Sequence, residues 1–115
     1  CGSTLRASEG TINSPNWPQG YKGSKTCTWR VSVNPSDSIA LFFNSFNLQE
    51  DGNCDKSKLA VRDGGNESAH EIGAFCGLNS PRVMRSKGGE LWIQFTSADE
   101  GEGKGFHLTY KAGTS

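Results

Sequence analysis

The chain has 115 residues, of which 33% are hydrophobic, and this length and composition suit one domain with a polar surface. Its 12 Lys and Arg residues balance its 12 Asp and Glu residues, which argues against binding to nucleic acid or to an anionic membrane. No apolar run approaches the length of a transmembrane helix, so we expect no membrane insertion by this domain.

The first predicted strand covers residues 27–33, where apolar and polar residues alternate. A period of two is typical of a half-buried strand, and it places Trp29 in the core. The Asn-Pro-Ser-Asp sequence at residues 34–37 then turns the chain. Residues 39–48 follow as a second strand that is apolar on both faces at its start, which predicts a central position in a sheet.

Four further apolar stretches are separated by turn signals. No stretch keeps a period of 3.6 residues, so we expect little helix. Short strands at regular spacing predict an all-β sandwich or barrel. The four stretches are residues 59–61, 72–75, 91–95 and 106–110, the last of which ends at the predicted core residue Tyr110.

The four cysteines are Cys1, Cys27, Cys54 and Cys76, and no two of them form a C-x-x-C pair. An even number at wide spacing indicates a disulfide framework rather than a metal or redox site. Disulfides persist outside the cell, which predicts an extracellular location. Cys1–Cys27 with Cys54–Cys76 is one of three possible connectivities, and it fits a meander of hairpins best.

One usable N-glycosylation sequon occurs, at Asn66-Glu67-Ser68. The triplet that begins at Asn34 is blocked by its proline. Because the Asn66 sequon follows an Asp-Gly-Gly turn, we expect a surface glycan there.

A series of short motifs runs in order along the chain. They are Cys1-Gly2, GTINSPNWP at residues 10–18 with Tyr21, CTW at 27–29, FNSFNL at 43–48, LAVRDG at 59–64, FCG at 75–77 with Pro81, and KGF at 104–106 with Tyr110. In this order and spacing the motifs resemble those of a CUB domain over essentially the whole chain. The resemblance implies a two-sheet antiparallel β-sandwich, jelly-roll-like, with the disulfides Cys1–Cys27 and Cys54–Cys76. It assigns residues 1–112 to one domain and residues 113–115 to a tail or linker remnant.

Many CUB domains hold calcium with three acidic side chains, because calcium prefers charged oxygen ligands. The corresponding positions here carry Gln49, Ser57 and Ala98, and none of the three is charged. The sequence therefore predicts a member without calcium or another cofactor. The alternative is a calcium site rebuilt from the displaced acids Glu50, Asp55 or Asp99.

The resemblance implies a non-catalytic, extracellular protein–protein recognition module that is one domain of a larger secreted or membrane-attached protein. One alternative is a glycan-binding module similar to the spermadhesins, in which Trp17, Tyr21 or Trp92 would stack on a sugar if exposed. Another is an accessory or regulatory domain of an extracellular protease. The candidate contact residues are Gln49, Glu50, Asp51, Trp92, Asp99 and Glu100.

Catalysis by this domain is not expected. No nucleophile elbow, metal-ligand spacing or phosphate loop occurs in the sequence. Of the two histidines, His70 falls in a polar loop, and the alternation of His107 with Phe106 and Leu108 directs it toward solvent.

Overall fold

A computed structural model describes residues 1–49, 54, 56–78, 80–99 and 102–113. Within these ranges all the regular secondary structure is strand, so no helix in them could cross a membrane. The strands are β1 (Gly2–Leu5), β2 (Glu9–Asn13), β3 (Tyr21–Lys22), β4 (Lys25–Ser32), β5 (Ser38–Asn47), β6 (Ser57–Asp63), β7 (His70–Phe75), β8 (Val83–Arg85), β9 (Glu90–Ser97), β10 (Glu102–Gly103) and β11 (Gly105–Gly113).

The strands form a five-stranded sheet of order β1-β4-β9-β6-β7 and a four-stranded sheet of order β2-β11-β5-β8. A two-stranded ribbon of β10 and β3 lies at one end. The predicted all-β sandwich is confirmed, and β5 has a neighbour on each side as expected. One pairing departs from the antiparallel pattern, because β1 runs parallel to β4.

The expected meander of hairpins was wrong. Among the strands of the described residues, only β6 and β7 are neighbours both in the chain and in a sheet. Elsewhere consecutive strands change sheets, as β4, β5 and β6 do, because each sheet must cover the apolar face of the other. Tertiary packing decides which sheet each strand joins, and the local sequence pattern does not predict it.

The core lies between the two sheets and is centred on Phe106. Its ring makes edge-to-face contacts with Trp29, at 5.9 Å between ring centroids, and with Phe95, at 5.4 Å. Trp29 and Tyr110 are both buried, as their strand positions predicted. The Tyr110 hydroxyl donates a hydrogen bond to the Ala7 carbonyl, and burial raises the pKa of this phenol.

The two disulfides have the predicted pairing, Cys1–Cys27 and Cys54–Cys76. The first joins the residue before β1 to its parallel neighbour β4, and the second joins the segment before β6 to the residue after β7. Each bond therefore closes a pair of strands within the five-stranded sheet.

The two ends of the sandwich differ in what they carry. At one end, which we call the Tyr21 end, Ser57 and Lys25 both pair with Ser97. At the opposite end, which we call the Asn66 end, the β6–β7 hairpin turns through Asn66. The degenerate calcium positions lie at the first end and the sequon at the second.

Candidate functional site

The Tyr21 hydroxyl hydrogen-bonds to two of the residues that occupy the degenerate calcium positions, Gln49 and Ser57. Tyr21 is 3% exposed, and its ring packs edge-on against Phe95 at 4.9 Å. The hydroxyl donates to Ser57 Oγ at 2.6 Å and accepts the Gln49 backbone N–H at 3.0 Å. The Gln49 side-chain carbonyl in turn accepts the Glu102 N–H at 2.9 Å. Four chain segments therefore meet around one phenol.

This arrangement does not fit a calcium ion. Ser57 is 1% exposed and its oxygen already accepts a hydrogen bond, as does the Gln49 side-chain oxygen. Ala98 has no side-chain oxygen, and its N–H donates to the Lys56 carbonyl at 2.9 Å. The donor set is neutral and internally satisfied, whereas calcium sites need several oxygens with negative charge.

The displaced acids fall mostly outside the described residues. Glu50 and Asp55 lie outside them, as do the predicted contact residues Asp51 and Glu100, whereas Asp99 is described and exposed. Among the residues that the structure does describe, no group of three or more His, Cys, Asp or Glu side chains could hold a metal ion. The absence of calcium therefore stays a prediction.

Trp92 lies away from the Tyr21 end. It is on the outer face of the five-stranded sheet, in register with Arg30 on β4 and Arg62 on β6. The Arg62 guanidinium lies over the indole, 5.9 Å from the ring centroid, and the indole is half-buried. Ser97 is five positions along β9 from Trp92, a distance of about 16 Å along the strand. Of the predicted contact residues that the structure describes, Gln49 and Asp99 therefore do not form one continuous patch with Trp92.

The aromatic residues suggested for sugar stacking are not equally available. Tyr21 is buried, so the suggestion that it stacks on a sugar is wrong. Trp17 is half-buried and stacks on His107, with 4.8 Å between ring centroids and 16° between planes. His107 faces outward from the sheet, as its alternation predicted, and the indole covers one face of its imidazole. The His107 Nδ1 lies 2.6 Å from Asn13 Oδ1.

The two remaining polar features are exposed. Asn66 lies in the turn after β6, and its side-chain oxygen accepts the Ser68 N–H at 2.8 Å. His70 begins β7 opposite Asp63 and is exposed. Neither histidine hydrogen-bonds to a serine or threonine hydroxyl in the described ranges.

Sequence reasoning missed a surface on the outer face of the four-stranded sheet. Phe42 on β5 and Val83 on β8 are cross-strand neighbours there, and both are exposed. Two features of the sequence could have revealed it. Phe42 and Phe43 are adjacent in a strand, so only one can face the core, and residues 81–89 carry three cations and no acid.

Comparison with known proteins gives one family. The CUB domain family matches residues 1–110. Human tolloid-like protein 1 is 41% identical over 97 residues, which is 84% of this chain and 10% of that protein. The chain thus spans about a tenth of the length of this relative.

Two solved structures are similar in fold. The full extracellular region of zebrafish Gpr126/Adgrg6 superposes with a TM-score of 0.87 and 28% identity, covering 97% of this chain and 14% of that one. The MASP-1 CUB2 domain bound to Ca²⁺ superposes with a TM-score of 0.82 and 25% identity, covering 94% of this chain and 96% of that one.

Proposed function

The chain belongs to the CUB domain family, a non-catalytic type of module found in extracellular proteins, and we propose that it is a calcium-independent protein-recognition domain of a larger secreted or membrane-attached protein. The small share of each larger relative that it covers supports its being one domain among several. The partner is a second extracellular protein.

The proposal of calcium independence rests on the hydrogen-bond network around Tyr21. The similar MASP-1 CUB2 domain is bound to Ca²⁺. Here the side chains of Gln49 and Ser57 are uncharged, and their oxygens accept hydrogen bonds from other protein groups. A tyrosine hydroxyl at the centre of the network orders this end without a metal. Its geometry depends on neutral groups, so chelators and divalent ions leave it unchanged.

The proposal is tested by titration and by capture. Calorimetric titration of the domain with calcium up to 1 mM gives no saturable heat, about the upper limit for extracellular calcium modules. A protein ligand captured on the immobilised domain from secreted and cell-surface proteins, then purified, binds with the same Kd in calcium and in chelator.

Asp99→Asn is the control for a site rebuilt from a displaced acid. It leaves both measurements unchanged if no such site exists. Saturable calcium binding, or a Kd that rises in chelator, would contradict calcium independence. A domain that binds a glycan array but no protein would contradict protein recognition.

A further inference from the structure

A shallow groove crosses the outer face of the four-stranded sheet. Its volume is about 230 Å³, and Ala40, Phe42, Arg85 and Lys111 line it together with Ser38, Ala112 and Gly113 at the ends of β5 and β11. Ala40 on β5 pairs with Arg85 on one side and with Lys111 on the other. A small side chain between two long cationic ones leaves the space that forms the groove, with strands about 4.8 Å apart on each side.

The neighbouring row of cross-strand residues on the same face is apolar on β5 and β8. Phe42, two residues along β5 from Ala40, pairs with Val83 on β8 and with Thr109 on β11. Phe42 is 36% exposed and Val83 is 39% exposed. The two side chains form a small exposed apolar pair beside the groove.

The two cations beside Ala40 have no anionic partner within the described part of the chain. Arg85 and Lys111 are exposed and form no ion pair there, unlike Arg30 and Arg62 on the other sheet. Glu9 on β2 is opposite Lys111 in register, on the side away from the groove, and forms no ion pair with it. Two like charges flanking a groove repel each other, and a carboxylate placed between them would remove that repulsion.

We propose that this groove docks an extended segment of the partner protein. An Asp or Glu carboxylate of the segment lies between Arg85 and Lys111, and an apolar side chain two positions away covers Phe42 and Val83. The spacing follows from the sheet, because residues two apart on an extended chain are about as far apart as Ala40 and Phe42. This inference rests on the proposed protein-recognition function and names the surface and the chemistry of the partner.

The small apolar area of this face favours a protein segment over an anionic membrane as the occupant of the groove. The apolar row is only two residues wide, and its neighbours Thr11, Thr109 and Asn44 are uncharged and polar. Membrane-binding surfaces have a larger apolar area.

The probe is a synthetic peptide with the sequence Gly-Ser-Glu-Ser-Leu-Ser-Gly, acetylated and amidated, titrated into the ¹⁵N-labelled domain. We expect saturable amide shifts at Ala40, Phe42, Val83, Arg85 and Lys111. A peptide with Lys in place of Glu causes no saturable shift. Shifts confined to other residues, or no shift with the Glu peptide, overturn the inference.

Two double variants have the same change of charge. Arg85→Glu with Lys111→Glu removes the groove cations and should weaken peptide binding at least about tenfold. Arg6→Glu with Lys25→Glu changes exposed cations at the five-stranded sheet and should change the Kd by less than about twofold. All four side chains are exposed, and an unchanged unfolding midpoint verifies that each variant folds.

The outcome separates this inference from the proposed function. If the groove variant still binds the captured protein ligand with unchanged Kd, the groove inference fails and protein recognition stands. If the native domain binds no protein, both fail. Saturable binding to phosphatidylserine vesicles without binding of the Glu peptide would assign the groove to a membrane and overturn the inference.

Discussion

The Tyr21 hydroxyl holds distant parts of the chain together at one end of the sandwich. It contacts Ser57, 36 residues away, and the Gln49 backbone, 28 residues away. Both contacts are at least partly buried, so a lost partner cannot easily be replaced by water. A phenol suits this position because one oxygen both donates and accepts while the ring fills the core against Phe95.

Tyr21→Phe keeps the ring and removes both hydrogen bonds. We expect a loss of about 1–3 kcal/mol in the free energy of unfolding, measured by urea denaturation, because a buried donor and acceptor are left without partners. Tyr110→Phe is the chemically matched comparison. It removes one hydrogen bond to the carbonyl of Ala7, an exposed residue, so it should cost less. An equal or smaller loss for Tyr21→Phe would contradict the role of the network.

At the scale of elements, the start of β11 shows why the Lys-Gly-Phe motif is needed. Gly105 has a φ of 107°, which favours glycine, and a Cβ there would collide with Ser14 Oγ. Ser14 exchanges two hydrogen bonds with the Phe106 backbone, at 2.9 and 3.1 Å. The close approach at Gly105 therefore fixes the start of the central core strand against the loop that follows β2.

Gly105→Ala should destabilise the domain by about 2 kcal/mol or more, because strain in the backbone adds to the collision with Ser14. The measurement is the midpoint of urea unfolding at constant m-value. Gly88→Ala is the matched control, since a Cβ at Gly88 meets no atom within 4 Å, and it should change stability by less than about 1 kcal/mol. Similar effects at the two positions would refute this explanation.

The strands that the sequence predicted are those with long alternating patterns. In β9 the residues Leu91, Ile93 and Phe95 face the core while Trp92 faces out, as alternation required. The short strands were missed because they carry little apolar signal. β1 has four residues with only Leu5 partly buried, and β8 has three. Their pairing depends on strands far along the chain, which local pattern does not encode.

At the scale of the whole molecule, the sequon and the groove lie on different sheets. Asn66 projects from the β6–β7 hairpin of the five-stranded sheet, and the groove crosses the outer face of the four-stranded sheet. The groove reaches the Asn66 end, because Ser38 at the start of β5 and Gly113 at the end of β11 also line it. A glycan at Asn66 would lie on the five-stranded side of the sandwich, across its thickness from the groove.

We therefore expect the domain secreted from eukaryotic cells to carry an N-linked glycan at Asn66, detected as a mass shift that a glycosidase removes. Asn66→Gln and Ser68→Ala should each abolish the shift, whereas Asn34→Gln should not, because proline follows Asn34. Affinity for the groove peptide should be the same with and without the glycan. An unshifted native mass, or a Kd that depends on the glycan, would contradict this separation.

The sequence alone determined the all-β class, the half-buried strands and the disulfide framework, because period-two alternation, turn residues and cysteine spacing are local properties. It also located Gln49, Ser57 and Ala98 as positions without acidic side chains. Only the tertiary structure showed that Tyr21 joins two of these positions, that Trp92 lies apart from them, and that Ala40 stands between Arg85 and Lys111. Those relations join strands distant in the chain, and their contacts exist only after the two sheets have packed against each other.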